Sequence, residues 1–238
     1  MKKLFLAILL LGMAPIANSQ ILISLLLGDK LNSDGVEFGL EGGLNWSTIN
    51  GFESKKYKRA LNLGFYFDLR IKNQWSLNTG VLVKSKFGID KLSGSDLDNL
   101  EAPQYDTIIG NYSQVINYFV LPVLIKYNFK NHIYVELGPQ GGLMYNAWTE
   151  FIHKSDNSDV RIRSFNKEKI NRIDAGMTIG AGYKLMKGKG FTIGAKYYQG
   201  FTNVYKGKSG SVNSGFFLKI NIPIGVGDKE DKKVEEKG

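Results

Sequence analysis

The sequence contains no cysteine and only two histidines among its 238 residues. Without cysteine, neither a disulfide framework nor a lipoprotein anchor is available. The histidines, His132 and His153, are too few to build a histidine-rich metal site. A phosphate-binding GxxxxGK[ST] loop and a G-x-S-x-G nucleophile elbow are also missing. We therefore predict no catalytic residue, no metal site and no cofactor.

Long apolar runs are missing after the start of the chain. Residues 1–19 combine the basic Lys2 and Lys3, an apolar core over 4–11, Pro15 and small residues at 17 and 19. This pattern predicts a secretory signal peptide over 1–19. A retained membrane anchor is the alternative, but the apolar core is too short to span a bilayer. No later run reaches 18 apolar residues, so the exported protein is either soluble or crosses a membrane as strands.

The net charge of +9 does not point to nucleic acid. The basic residues are spread over predicted strands, turns and loops, and no predicted helix carries a basic face. We predict no nucleic-acid partner.

Apolar and polar residues alternate along most of the chain. Apolar side chains at 61, 63, 65, 67, 69 and 71 alternate with polar residues or glycine, except for Tyr66. Such alternation gives a strand one apolar and one polar face. Eight strands are predicted, near 36–47, 60–71, 75–88, 112–129, 133–147, 171–185, 191–203 and 212–225. The links after the second, fourth and sixth strands are short and the others are longer, which is typical of an up-and-down membrane barrel.

The parity of the apolar positions tests this division. They are odd-numbered in the second to seventh strands. Paired residues across a hairpin point to the same side, so each turn must preserve parity. Three predicted pairs do so: Ile71 with Trp75, Phe129 with Ile133, and Leu185 with Phe191.

Alternation leaves open which face is inside, because a soluble lipocalin-type barrel places its apolar face inward. The polar face favours a membrane barrel, since it is rich in glycine and in charges of both signs, namely Glu37, Glu41, Asp68, Arg70, Lys84, Lys86, Lys126, Glu136, Arg172, Asp174, Lys184, Lys196 and Lys219. Two predicted aromatic girdles agree: Trp75, Tyr127, Phe129 and Phe191 near the turns, and Trp46, Phe87, Tyr145 and Phe201 near the loops. We predict an all-β fold, an eight-stranded antiparallel up-and-down transmembrane β-barrel over 36–225.

Three segments fit this barrel less directly. Residues 20–35 form either a short periplasmic helix or a disordered leader, and the charged tail 226–238 is predicted to be disordered. Pro122 and Pro139 each remove a donor from a predicted strand. We expect a shared bulge or bend there.

Several segments resemble one known family. They are ISLLLGDKLNS (23–33), EFGL (37–40), NYFVLPVLIKY (117–127), ELGPQ (136–140), DAG (174–176), GAGY (180–183) and GFTN (200–203). In this order they resemble the PorT-like outer-membrane β-barrel family of Bacteroidota over about 21–225. The resemblance implies an eight-stranded barrel in the cell outer membrane without a catalytic motif. The name-giving member is linked to protein secretion. The last strand departs from such barrels, because it closes on Ile224 and Gly225 rather than on an aromatic residue.

The long loops are where specific function is expected. Loop 89–111 is acidic, with Asp90, Asp96, Asp98, Glu101 and Asp106 against Lys91, and is either a cation or basic-partner site or a hydrated loop. Loop 148–170 has five basic residues that are candidates for lipopolysaccharide phosphates: Lys154, Arg161, Arg163, Lys167 and Lys169. His153 with Asp156 or Asp159 is the pairing that a rim hydrolase would use.

The sequence thus predicts a non-enzymatic outer-membrane barrel that is structural or associated with assembly or secretion. Eight strands leave room only for side chains, so the lumen is predicted to be closed rather than an open pore. The expected partners are outer-membrane lipid, together with lipopolysaccharide or envelope and secretion proteins. The alternatives are a barrel enzyme with a rim site and a soluble exported lipid-binding barrel.

Overall fold

The structure is a computed structural model that describes residues 35–105, 109–154, 159–188 and 190–224. The described chain contains nine strands: β1 (Val36–Ile49), β2 (Lys56–Lys72), β3 (Trp75–Asp90), β4 (Asn111–Asn128), β5 (Ile133–Lys154), β6 (Asp159–Phe165), β7 (Ile173–Lys184), β8 (Thr192–Asn203) and β9 (Val212–Pro223). The helices are α1 (Gly94–Leu100), a 3₁₀ turn (Lys167–Lys169) and α2 (Leu185–Gly188). The predicted signal peptide 1–19, the leader before Gly35 and the tail 226–238 lie outside the described residues.

Eight of the strands close into a ring. Each strand pairs antiparallel with its neighbour in the order β4-β3-β2-β1-β9-β8-β7-β5, and a further pairing between β4 and β5 closes the circle. β6 pairs with the far half of β5, from Trp148 to Lys154, and so lies outside the ring. The predicted eight-stranded up-and-down barrel is therefore confirmed. The ninth strand lies in the segment predicted as loop 148–170.

None of the helices in the described ranges is long and apolar enough to cross a membrane.

The short connections gather at one end of the barrel, which is the periplasmic end in this architecture. The predicted register is confirmed at two of them, where Tyr127 pairs with Val135 and Tyr183 with Ile193. At the β2–β3 turn the predicted register holds at Leu69 and Leu77 but not at the turn itself. An irregularity after Arg70 brings Lys72, rather than Ile71, opposite Trp75.

The apolar face of the wall points outward. Leu121, Val123 and Ile125 on β4 are each 45% exposed, whereas Leu124 and Lys126 between and beside them are buried. The same alternation holds on β5 and β7. A soluble lipid-binding barrel would place these apolar residues inside, so that alternative is wrong.

Two bulges exchange the inner and outer faces near the loop end. On β3 the register shifts between Leu82 and Ser85, and both of these residues point inward. From this shift onward Lys84 is exposed and Phe87 is buried. The prediction that placed Phe87 in the aromatic girdle near the loops is therefore wrong. The prediction that placed Lys84 and Lys86 in the lumen is wrong as well. A second shift lies on β5, opposite Asn117 and Tyr118 of β4, and reverses which residues of β5 face the lumen. Each bulge adds one residue to one strand, which reverses every later side chain.

Two other predicted lumen charges also lie elsewhere. Arg70 and Arg172 are exposed. Arg70 lies near the end of β2, and Arg172 directly precedes β7.

The two prolines do not create a bulge. Pro122 pairs with Gln140, and Ile125 pairs with Leu137. The same number of residues separates these pairs on both strands, so no residue is inserted, whereas a bulge needs an extra residue on one strand. The predicted bulge is wrong. The missing proline N–H groups interrupt the ladder without changing its register.

Candidate functional site

The periplasmic half of the lumen is filled by ion pairs that join strands across the barrel. Lys196 Nζ on β8 lies 2.8 Å from Glu41 Oε1 on β1, and Lys219 Nζ on β9 lies 2.9 Å from Glu136 Oε2 on β5. These four side chains are at most 4% exposed. The parity of the strands brings them together, because each lies on the polar face predicted from the sequence.

Two further pairs extend this arrangement. Lys126 on β4 bonds to Asp68 on β2, across the intervening β3. Lys184 Nζ lies 2.5 Å from Glu37 Oε2 nearer the periplasmic mouth, where both side chains are partly exposed. A buried charge is tolerated only when it is paired, so these residues constrain one another.

Tyr134 occupies the space between the pairs. Its ring lies 4.4 Å from Lys126 Nζ and 5.6 Å from Lys219 Nζ, within the range of cation–π contacts. Gly182 and Gly194 make room for this ring, since a Cβ on either would overlap the Tyr134 hydroxyl. Packing around Tyr134 therefore explains why glycine occupies these two positions of the polar face.

Above the ion pairs the lumen becomes apolar. Above the pairs, Asp174 accepts a hydrogen bond of 2.6 Å from the Tyr198 hydroxyl. The Phe87 ring then lies 5.5–5.9 Å from the rings of Tyr118, Tyr198 and Phe217. Phe87 reaches this position because of the bulge on β3.

The long connections cover this apolar layer. Seven of their side chains are buried in the same cluster as Phe87, and we call them the loop cap: Phe52, Leu92, Leu97, Leu100, Ile170, Val204 and Tyr205. Three separate connections contribute to it, β1–β2, β3–β4 and β8–β9, together with Ile170 before β7. The loop predicted as hydrated over 89–111 thus contains a helix, α1, with a buried apolar side.

The start of α1 is fastened to the β1–β2 connection by Asp96. Its carboxylate accepts hydrogen bonds from the backbone N–H groups of Glu53 (2.8 Å) and Ser54 (3.0 Å), and from Ser93 (3.2 Å) in a capping box. Burial raises the pKa of Asp96, but these backbone donors outweigh burial and hold the pKa below its ordinary value. Asp96 thus holds the start of α1 against the β1–β2 connection.

The other carboxylates of the acidic loop are engaged one by one. Asp90 bonds to Lys58 and Ser113, Asp98 accepts from Gln104, and Glu101 lies 2.7 Å from Lys169 Nζ. Asp106 lies outside the described residues. In the part of the chain that is described, no three His, Asp or Glu residues form a metal-binding group.

The two histidines lie far apart in the fold. His132 sits in the β4–β5 turn with a φ of 68°. His153 lies on β5, and its Nδ1 is 2.6 Å from the carbonyl oxygen of Ile109. Asp156 and the side chain of Asp159 lie outside the described residues, so the rim pairing stays a prediction.

The outer surface of the wall carries a groove near the loop end. Its volume is about 240 Å³. Six basic side chains from β2, β3 and β6 line it, and we call it the basic groove: Lys58, Arg59, Lys84, Lys86, Arg161 and Arg163. Glu150 lies beneath the two β6 arginines, 3.0 Å from Arg163 Nε and 3.7 Å from Arg161 Nε.

Only part of this groove was predicted from the sequence. Of the five basic residues proposed for lipopolysaccharide, Arg161 and Arg163 line it. Lys169 instead bonds to Glu101 and to the carbonyl oxygen of Leu100. Lys84 and Lys86 were missed, because uninterrupted alternation placed them in the lumen.

Several solved barrels are similar in structure. Ail, the attachment invasion locus protein of Yersinia pestis, is 14% identical with a TM-score of 0.41, covering 81% of this chain and 100% of Ail. Neisserial surface protein A is 9% identical with a TM-score of 0.42, and the match covers 79% of this chain and 99% of that protein. The N-terminal barrel domain of Pseudomonas aeruginosa OprF is 12% identical with a TM-score of 0.28, and the match covers 79% of this chain and 100% of that domain. No curated protein matches the chain.

The family comparison carries more weight than these distant likenesses. The pattern of the outer membrane protein beta-barrel domain family matches residues 28–206, about three quarters of the chain. The closed ring, the outward apolar face and the short-turn end agree with that match. The protein lies in the cell outer membrane, and the chain belongs to the outer membrane protein beta-barrel domain family.

Proposed function

We propose that the protein is a non-catalytic outer-membrane barrel with a closed lumen, which acts as a structural or assembly- and secretion-associated component. The filling of the barrel is the observation that carries this proposal. Paired charges occupy its periplasmic half, and aromatic residues and the loop cap occupy the rest. An eight-stranded barrel has an interior just wide enough for such side chains.

Membership of a PorT-like subgroup, from Bacteroidota, and export by a signal peptide over 1–19 are part of the same proposal. The resemblance of segments 23–33 and 117–127, among others, supports the subgroup. It also motivates the proposed association with secretion. In a barrel with a closed lumen, secretion partners would bind the loops or the periplasmic turns rather than pass through the lumen.

Conductance tests the closed lumen. The full barrel is inserted into planar bilayers beside a general porin and beside Phe87→Ala/Tyr198→Ala, which removes two of the rings that meet above the ion pairs. We expect no conductance steps from the natural protein and small steps from the variant. Steps of the same size from both would contradict a closed lumen.

Crosslinking in native membranes tests the association with secretion. We expect an envelope or secretion protein to be crosslinked at the loop end or the turn end, and loss of the gene to reduce export of some proteins. A barrel without crosslinked protein partners, together with unchanged export, would leave only the structural role.

A further inference from the structure

We propose that the basic groove is a binding site for the phosphate groups of lipopolysaccharide in the outer leaflet. The site combines residues from β2, β3 and β6 that are distant in sequence. This inference requires the outer-membrane location but not a closed lumen or a role in secretion.

The groove lies just beyond the lipid-facing part of the wall. Along β3 the outward side chains run from Trp75 to Val83, and Lys84 and Lys86 follow directly after the bulge. On the neighbouring β2, Arg59 lies beside Trp46, a residue of the predicted outer girdle, with its guanidinium 5.9 Å from the ring. Aromatic girdles mark the level of the headgroups. The groove therefore lies at the level of the outer headgroups.

Lys58 is bonded to Asp90, but half of the six basic side chains in the groove have no carboxylate partner among the described residues. Glu150 is the one carboxylate that lines it, and it is already bonded to Arg163 and Arg161. Among the described residues, Arg59, Lys84 and Lys86 have no carboxylate within 4 Å. Unpaired cations in a concave surface attract anions, and phosphate is a preferred partner of arginine and lysine.

The surroundings favour an anionic lipid over a soluble anion. Leu61 and Phe165 beside the groove are 61% and 62% exposed, and Trp148 lies under Arg163 at 4.9 Å. Leu61 and Phe165 offer apolar contact next to the cations, while the buried Trp148 supports Arg163 from below. A ligand with phosphates on a sugar headgroup and acyl chains below it matches both features, whereas free phosphate matches only the charge.

Binding of fluorescent lipopolysaccharide to the purified full barrel in detergent tests the site. The groove variant is Lys84→Gln/Lys86→Gln, and Arg59→Gln/Arg161→Gln is a second variant should the first not fold. The matched control, Lys72→Gln/Lys130→Gln, removes the same charge from exposed lysines at the periplasmic end. Circular dichroism checks that each barrel is folded.

We expect the groove variant to bind about tenfold more weakly and the control to bind like the natural protein. Lipopolysaccharide stripped of its phosphates should bind the natural protein about tenfold more weakly as well. Equal binding by the groove variant and the natural protein, or an equal loss in the control, would overturn the site. Inorganic phosphate or phosphatidylglycerol vesicles competing as well as lipopolysaccharide would overturn the choice of ligand.

Discussion

The buried pair of Glu41 and Lys196 provides a quantitative test of how the lumen is stabilised. Glu41→Gln keeps the size of the side chain and removes its charge. It leaves the Lys196 ammonium, whose side chain is 1% exposed, without the carboxylate that lies 2.8 Å away. Removing one partner of a buried pair costs about 3–5 kcal/mol, because the remaining charge is neither solvated nor paired. We expect a loss near the lower end, since Lys196 stays within a lumen that also contains Glu136.

A second substitution separates charge burial from packing. Lys196→Met in the Glu41→Gln background removes both charges and keeps an apolar chain of similar length. Replacing a buried ion pair by well-packed neutral residues is often neutral or stabilising. We therefore expect the double variant to recover most of the loss, with a coupling of about 3 kcal/mol between the two positions.

The exposed pair of Glu101 and Lys169 serves as the control. Its N–O distance is 2.7 Å, almost the same as in the buried pair, but the Glu101 side chain is 82% exposed. Glu101→Gln should cost much less than Glu41→Gln, because solvent screens the exposed pair. Urea unfolding of the barrel from lipid vesicles, followed by the fluorescence of its three tryptophans, measures each free energy of unfolding. A loss in Glu41→Gln no larger than that in Glu101→Gln would refute the reasoning.

Two further predictions concern the loop cap and the lumen glycines. Asp96→Asn should weaken the start of α1 by about 2 kcal/mol, seen as faster hydrogen exchange at Glu53 and Ser54. Because the pKa of Asp96 is lowered in the fold, the stabilisation by its carboxylate should be present at a pH above the ordinary carboxyl pKa and lost as the pH falls through the folded pKa. Exchange protection that does not depend on pH, after correction for the intrinsic exchange rate, would contradict this. Gly182→Ala should destabilise the barrel by about 1–3 kcal/mol in the same urea assay, since its Cβ would overlap the Ile193 carbonyl oxygen and the Tyr134 ring. Gly141→Ala, whose Cβ would contact nothing within 4 Å, should have little effect, and equal losses would show that these close contacts are not the cause.

The barrel itself was predictable because period-two alternation is a local property of the sequence. Leu121, Val123 and Ile125 alternate with residues that face the lumen, and each turn must preserve parity. Those two constraints determined the register at the β4–β5 and β7–β8 turns and most strand bounds to within a few residues, but β5 runs seven residues beyond its predicted end at 147. β6 was missed because its basic residues, Arg161 and Arg163, suggested a solvated loop.

The candidate sites were less predictable, since they depend on bulges and on contacts between distant loops. A bulge adds one residue without leaving a clear pattern, and Phe87 and Ile89 are apolar whichever way they face. The residue types at these positions therefore did not indicate whether the side chains face lipid or the loop cap. The role of Asp96 was equally hidden, because its partners, the amides of Glu53 and Ser54, lie some forty residues away.

The bulges also mark where the wall leaves the membrane. Below them the outward face is apolar, except for Thr79, over residues 75–83 of β3 and 119–128 of β4, nine and ten residues. A tilted transmembrane strand needs about 9–11 residues. Above the bulge on β3, Lys84 points outward and Phe87 inward, which is the polarity of a water-soluble sheet. One inserted residue thus converts a strand built for lipid into one that supports an apolar loop cap. It also aims Lys84 and Lys86 at the headgroup level, so the cap and the basic groove share one structural cause.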